Sequence, residues 1–437
     1  MMKIMMRSRL LEMSLPLLLL LTENGMVAQA LACTTAVISG SATPDGRPIL
    51  WKNRDYGSRL HNEMAEITGG KFKAIAVVNA GSRSSVWMGV NEAGFCIENS
   101  LSKDLKIEGK TSGPGNGTLM RMALQTCATV ADFENLLKET NNSGRATIAN
   151  FGVIDAQGGA ALFETGPKQY KMFDANDPKV APRGYIVRSN FATTAQELGA
   201  NPSPVELSDV SSSDRYLRAC GILELTSSDG ISVEEVLRQC ARDLSDEHGN
   251  PLPGSVNGKP GTLPTRIATK NTISRTTTVS AAVFHGVRPG EDPRLTTMWT
   301  MLGDPKFTIA VPSFVVAGVA DDLTDERGGE IGEIAITLRE WSLTPDKEAI
   351  RSDLLPGIWS DLWALEDRLL TTTLRAKQRW SQGKAPVHEI KKLHTEASRA
   401  AMQAMSKELQ EAKTIALAKP APKPPVFDDS SFATSSN

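Results

Sequence analysis

Cys33 is the residue with the most chemistry to offer, because of what stands before it. Ala30-Leu31-Ala32 is a small-x-small sequence of the kind at which an exported chain is cut, and Cys33 follows at once. Cleavage there would put a thiol and a free α-amine on one residue. An α-amine titrates at about 7.7–8.0, so near neutral pH a share of it can act as a base. A thiol activated by its own amine needs no histidine. It does need a carboxylate to orient the ammonium, a cation near the sulfur, and amide or backbone donors for an oxyanion. The stretch "ILWKNRDYG" offers the first two, since its apolar run ends in Lys52, Asn53, Arg54 and Asp55. Spacing alone allows these four to be a solvated strand end. A tight turn between antiparallel strands would instead return them to Cys33.

Other chemistries have less support. There are five histidines and no His-Glu-x-x-His, Cys-x-x-Cys or Gly-x-Ser-x-Gly sequence, so neither a zinc hydrolase nor a serine elbow is indicated. His388 and His394 lie six apart, the wrong spacing for one helix face. His285 could serve a Cys–His dyad, although a strand histidine beside Gly286 is more often simply packed. "GPGNG" (113–117) lacks the Gly-Lys-Ser/Thr ending of a phosphate loop and reads as the entrance to a helix. No metal or cofactor is indicated.

The elements that must position these residues begin with Cys33 itself. Thr35, Val37 and Ser39 alternate with Thr34, Ala36 and Ile38 as in a strand, and "TPDGRP" (43–48) predicts a hairpin turn into the next one. "AIAVVNA", "SSVWMGV" and "FCIENS" read as further strands. Two helices follow, after "GPGNG" and at "VADFENLLKET"; then strands at "ATIANFGVID", "AALFETG" and "GYIVRSNF". "SSSDRYLRACGILEL" and "SVEEVLRQCARDL" are helical, residues 243–270 read as a long loop, and "TTTVSAAVFHGV" and "RLTTMWTML" are strands again. Helices dominate from about Asp353, and residues beyond Lys419 are Pro-, Lys- and Ser-rich. Strands, then helices, then strands is an α+β order, which disfavours a doubly wound nucleotide-binding fold.

Composition sets outer bounds. In 437 residues the net charge is −2, so no basic excess suggests nucleic acid, and no later apolar run is long enough to span a membrane. Lys3, Arg7 and Arg9 before the apolar stretch Leu10–Leu21 read as an export signal, interrupted by Glu12, Ser14 and Pro16. The expected organisation is a signal over 1–32, a catalytic domain over 33–345, a helical extension over 346–416 and a disordered tail over 417–437. A periplasmic or secreted location follows. Of the five cysteines, Cys33 is the odd one out; Cys96, Cys127, Cys220 and Cys240 are open to either buried thiols or bridges.

"CTTAVISGSATPDGRPILWKNRDYG" resembles the mature start of cysteine N-terminal-nucleophile (Ntn) hydrolases: the choloylglycine hydrolase, penicillin V acylase, acid ceramidase and isopenicillin-N acyltransferase-like amidase group. That start is Cys-Thr, a strand, a turn, then commonly Arg-Asn-x-Asp. Asp55 and Asn53 match, and Lys52 stands where Arg is usual. Downstream, "GVNEAGFCIENS" places Asn99, "YIVRSNFA" places Asn190 at the oxyanion-site asparagine, and "SSDRYLRA" places Arg215. The resemblance covers about residues 33 to 315.

It implies a four-layer αββα sandwich of two stacked antiparallel sheets, and cleavage of a linear amide through a thioester on Cys33. Asp55 would orient the ammonium, and Asn99 and Asn190 would stabilise the oxyanion or hold the terminus. Arg215 and Lys52 would tune the charge of the pocket, with Arg54 a substitute cation. An amine acceptor would make the enzyme an acyltransferase. The implied partner is a small-molecule amide, with no nucleic acid and no stable membrane insertion once the signal is removed; homo-oligomerisation is left open. Two other readings stand beside this one: a cysteine dipeptidase of the same superfamily, and a ligand-binding lipoprotein lipidated at Cys33, for which Ala30 is a poor lipobox residue.

Overall fold

The structure is a computed structural model. It describes residues 33–418 apart from 57–60, 103, 106–111, 196, 198–205, 208–209, 211, 246–248, 250–265 and 384. The export signal and cleavage site expected over residues 1–32 and the tail beyond residue 418 lie outside the described residues, as does most of the loop expected over 243–270.

In chain order the strands are β1 (Cys33–Ile38), β2 (Ile49–Asp55), β3 (Asn62–Ile67), β4 (Ala74–Asn79), β5 (Met88–Asn91) and β6 (Cys96–Leu101). Helices α1 (Asn116–Thr126) and α2 (Val130–Ser143) come next, then β7 (Ala149–Ile154), β8 (Ala160–Thr165), β9 (Tyr170–Asp174) and β10 (Tyr185–Arg188). Helix α3 (Ser213–Thr226) and the short α4 (Val233–Glu235), prolonged as a π-turn to Cys240, precede β11 (Arg266–Ala268), β12 (Thr278–His285), β13 (Thr297–Leu302) and β14 (Val311–Ser313). The chain then runs through α5 (Glu330–Ser342), β15 (Ala349–Arg351), α6 (Leu355–Trp380) and α7 (Val387–Ala418).

Two antiparallel sheets carry the fold. One has the order β10-β1-β2-β12-β13-β14, the other β3-β4-β5-β6-β7-β8-β9. The alternation read from β1 and β2 decides the layers, because successive side chains leave opposite faces of a strand. Val37 and Leu50 join Ile75, Val77, Val90 and Cys96 of the second sheet in the core between the sheets. Ala36, Ile38, Ile49 and Trp51 face the other way, onto Ala219, Leu223, Val236 and Leu237 of the α3–α4 layer. On the far side, Ala76, Val78, Ile97 and Phe151 receive Leu119, Leu124, Phe133 and Leu137 of α1 and α2. The result is the four-layer αββα sandwich.

Several elements were not legible as such. Strand β3 carries Asn62 and Glu63, which look like loop residues yet are buried: Ser280 donates to Asn62, and the Gly81 amide and Thr324 hydroxyl donate to Glu63. The edge strand β9 is only half-buried and shows no clean alternation. Strand β11 lies where only a loop is expected, paired with β15. Helix α5, ahead of the expected helical region, begins after Gly328 and Gly329, both at positive φ. Helices α5, α6 and α7 lay Ile331, Leu338, Trp359, Leu362, Ala401 and Met405 on the same core as the sheets. Among the described residues all five cysteines are free thiols. No helix among the described residues is long and apolar enough to cross a membrane.

Candidate active site

The register of β1 builds the site. The pairing that sets Thr35 opposite Lys52 sets Cys33 opposite Arg54. On its other side β1 pairs with β10, Thr35 opposite Arg188, and the same register carried two residues further brings Asn190 beside Cys33. Cys33, 7 % exposed, thus sits at the end of a central strand with functional groups on both flanks.

Its backbone N–H donates to Asn190 Oδ1 at 2.8 Å. Arg215, buried in the first turns of α3, donates to the same oxygen at 2.8 Å, to the Cys33 carbonyl at 2.6 Å and to Thr34 Oγ1 at 2.8 Å. Burial lowers the pKa of this guanidinium to about 10, which leaves it charged at neutral pH. Asn190 Nδ2 is committed to the Leu101 carbonyl at 2.8 Å. In this arrangement Asn190 holds the Cys33 nitrogen and has its amide donor engaged elsewhere.

Lys52 and Arg54 alternate with Asn53 and so point between the sheets. Lys52 crosses that gap, donating to Asn99 Oδ1 at 2.7 Å and the Trp87 carbonyl at 2.8 Å. Burial pulls its pKa down. Arg54 donates to Asn62 and Asn79 at 3.0 and 3.1 Å and lies against the Trp87 and Tyr56 rings. Asn53 turns to the helix side instead, donating to the Ala241 carbonyl.

Asp55 is seated by a bulge. Strand β12 shifts register between Thr278 and Ser280, which brings Thr278 opposite Asp55. The Thr278 hydroxyl donates to Asp55 Oδ1 at 2.6 Å. Oδ2 is buried with no hydrogen-bond partner among the described residues, and Arg275 Nη1 lies 3.5 Å from it. Burial raises the Asp55 pKa, while Arg275, Arg215, the Thr278 hydroxyl and Lys306 pull it back down.

Cys33, Lys52, Arg54, Asp55 and Asn99 line one cleft of about 450 Å³. The opposite wall is Ser85, Trp87 and the start of α1, Gly115 to Thr118, so "GPGNG" is the expected helix entrance and forms part of the cleft. Every site residue expected from the sequence is therefore in or directly behind this cleft. The sequence did not point to Thr278, Arg275 or Glu98. Glu98 is buried between the sheets, accepting from Thr35 Oγ1 at 2.5 Å and the Gly152 amide at 3.0 Å, and burial raises its pKa to about 7. The only available signal was its place beside Asn99 in a strand.

His285 lies elsewhere. It pairs with Ile49, five residues along β2 from the partner of Cys33, which is roughly 17 Å. There it bonds to Asp45, and burial lowers its pKa to about 4. That position removes it as a base for Cys33.

The family model for acyl-coenzyme A:6-aminopenicillanic acid acyl-transferase matches residues 41–280. The match begins after Cys33 and contains Lys52, Asp55, Asn99, Asn190 and Arg215. No curated protein matches the chain in sequence. Among solved structures, the Caenorhabditis elegans ortholog of N-acylethanolamine-hydrolyzing acid amidase is similar with a TM-score of 0.37 and 13% identity, over 58% of this chain and 92% of that one. Penicillin V acylase from Agrobacterium tumefaciens gives 0.39 and 15%, over 68% and 89%. A variant of the conjugated bile acid hydrolase from Clostridium perfringens gives 0.38 and 12%, over 68% and 95%.

Proposed function

Because the chain belongs to the acyl-coenzyme A:6-aminopenicillanic acid acyl-transferase family, we propose that it is an amidohydrolase whose nucleophile is the N-terminal cysteine of the mature protein, Cys33. The observation that carries this reading is the seat of Cys33: it lines the cleft while Asn190 and Arg215 grip its backbone nitrogen and carbonyl. A cysteine placed for packing alone would not need its main chain held by buried polar side chains.

In the proposed reaction the Cys33 sulfur attacks the carbonyl of a linear amide and its α-amine takes the thiol proton. The tetrahedral intermediate collapses as that proton passes to the leaving amine, and a thioester remains. Water attacks the thioester, releases the acid and restores the thiol; an amine in place of water gives acyl transfer. Asp55 orients the ammonium, Asn190 fixes the terminus, and Asn99, whose Oδ1 is taken by Lys52, presents its amide nitrogen to the oxyanion. Lys52 and Arg54 supply the positive field that favours thiolate. The site would be completed by removal of residues 1–32 on export, so the working location is periplasmic or secreted.

One observation favours the dipeptidase alternative. Arg54, on the cleft wall, donates to two neutral asparagines and, among the described residues, to no carboxylate, and such a guanidinium suits the carboxylate of a peptide. Lipidation of Cys33 would consume both the thiol and the amine, so it excludes either enzyme.

The test is to incubate the mature protein with a panel of acyl-amides and dipeptides and follow products and the Cys33 peptide by mass spectrometry. An acid product, with an acyl adduct on Cys33, is expected. An active protein that stays active as Cys33→Ala would overturn the reading.

A further inference from the structure

Asp55 is held from behind by a turn at the end of the segment that the family model covers, and that turn is held by residues beyond it. The turn at 274–278 carries its contacts, Thr278 at 2.6 Å and Arg275 at 3.5 Å, and closes on itself where the Arg275 amide donates to Thr278 Oγ1 at 2.9 Å. Lys306 reaches this turn from the 3-10 turn after β13. Its fully buried ammonium donates to the Arg275 carbonyl at 3.0 Å and Ser274 Oγ at 3.2 Å, with Asp304 accepting at 2.8 and 2.9 Å.

Helix α6 fixes the main chain of Lys306 in turn. Trp359 Nε1 donates to the Lys306 carbonyl at 2.9 Å. Arg242 donates to the carbonyls of Pro305 and Thr308 at 2.9 and 3.2 Å. Glu366 of α6 takes that guanidinium at 2.9 and 2.7 Å and accepts the Ala310 amide at 2.8 Å. A chain of buried polar contacts thus runs from the C-terminal helices to the turn that seats Asp55.

We propose that Lys306 is a positioning residue for Asp55, tying the 274–278 turn to α6, so that the C-terminal helices complete the active site. The inference rests on the reading of Cys33 as nucleophile. A buried ion pair that merely stabilises the fold would affect folding alone. A cation that also shapes the field at Asp55 must move the titration of the catalytic centre. The charged groups facing Asp55 are Arg275, Arg215 and Lys306, with Lys52 and Arg54 on its own strand; Lys306 itself also faces Asp304 and Arg339. Removing Lys306 leaves burial less opposed, so Asp55 should take up its proton at a higher pH.

The experiment compares the mature wild type with Lys306→Met, Lys306→Gln, Trp359→Phe and Asp55→Asn between pH 4 and 9, with melting temperatures matched by choice of assay temperature. Two readouts are taken: turnover of N-acyl-7-amino-4-methylcoumarins, and the rate at which iodoacetamide alkylates Cys33. Asp55→Asn identifies the acid limb by abolishing it. Both Lys306 variants should move that limb to higher pH and lower kcat at pH 5 by about 10- to 100-fold, with KM within about three-fold. Trp359→Phe should lower kcat less and leave the limb in place. If Met proves unfolded, Gln still removes the charge and retains a donor. An acid limb unmoved by loss of the Lys306 charge overturns the proposal. A wild type that turns over no coumarin amide speaks against the amidase reading, and the alkylation profile still decides the role of Lys306.

Discussion

Thr278 gives its hydroxyl hydrogen to one oxygen of Asp55 at 2.6 Å, and the other oxygen is buried without a hydrogen bond among the described residues. A buried acceptor left unpaired costs about 1–3 kcal/mol, so it is retained only where something repays it. An ammonium freed at Cys33, whose partner across the strands is Arg54, one position before Asp55, is the group that would do so.

Substituting that carboxylate should separate folding from function. Asp55→Asn keeps the size and the contact to Thr278 and removes the charge. The melting temperature should hold or rise, while amide turnover falls about 10²- to 10⁴-fold. In the wild type, burial holds the Asp55 pKa above the ordinary carboxylate value. Its charged form exists above that pKa, so activity should be lost as pH falls through a point higher than about 3.9. Turnover within a few-fold of wild type in Asp55→Asn would return Asp55 to a structural role.

Exported protein should begin at Cys33 with an unmodified amine. Intact mass and N-terminal sequencing decide it, and a start at Leu31 or a diacylglycerol adduct is the contrary result.

Inserting one Gly between Ala32 and Cys33, with mass-confirmed retention, converts the base to an amide nitrogen. Loss of a positioned base is expected to cost about 10²- to 10⁴-fold in rate, and Cys33→Ala should abolish acylation. His285→Gln should leave kcat within about two-fold, since that ring sits with Asp45 at the other end of the sheet. Full activity in the Gly-extended protein would contradict an amine-activated thiol.

Glu98→Gln should change stability with a definite sign. The folded pKa of about 7 exceeds the unfolded value of about 4.3, so the folded state binds the extra proton between them. Stability therefore falls as pH rises through that window. Gln can still accept from Thr35 and Gly152 but carries no charge, so the variant should gain on the order of 2 kcal/mol over wild type at pH 8 and little at pH 5. Denaturant melts at the two pH values check it; an equal difference at both would point to packing.

The sequence by itself determined the alternation of β1, its turn into β2, and the Lys52-to-Asp55 cluster at the end of that return. These are local: side-chain alternation and turn chemistry depend on residues a few positions apart. Most of the helices and the α+β order of the elements along the chain were legible for the same reason, whereas the four-layer sandwich was implied by the resemblance of the stretch from Cys33 to Asp55 to Ntn hydrolases. Strand β3 was hidden because Asn62 and Glu63 are buried by partners far along the chain, Ser280 and Thr324 among them. Tertiary structure alone decided that Thr278, 223 residues from Asp55, supplies its hydrogen bond, that Lys306 stands behind it, and that His285 lies at the wrong end of the sheet. Each of these follows from the pairing of β12 with β2 and the bulge within it. Long-range register is fixed by which faces can be buried together, and that is a property of the assembled sheets and helices.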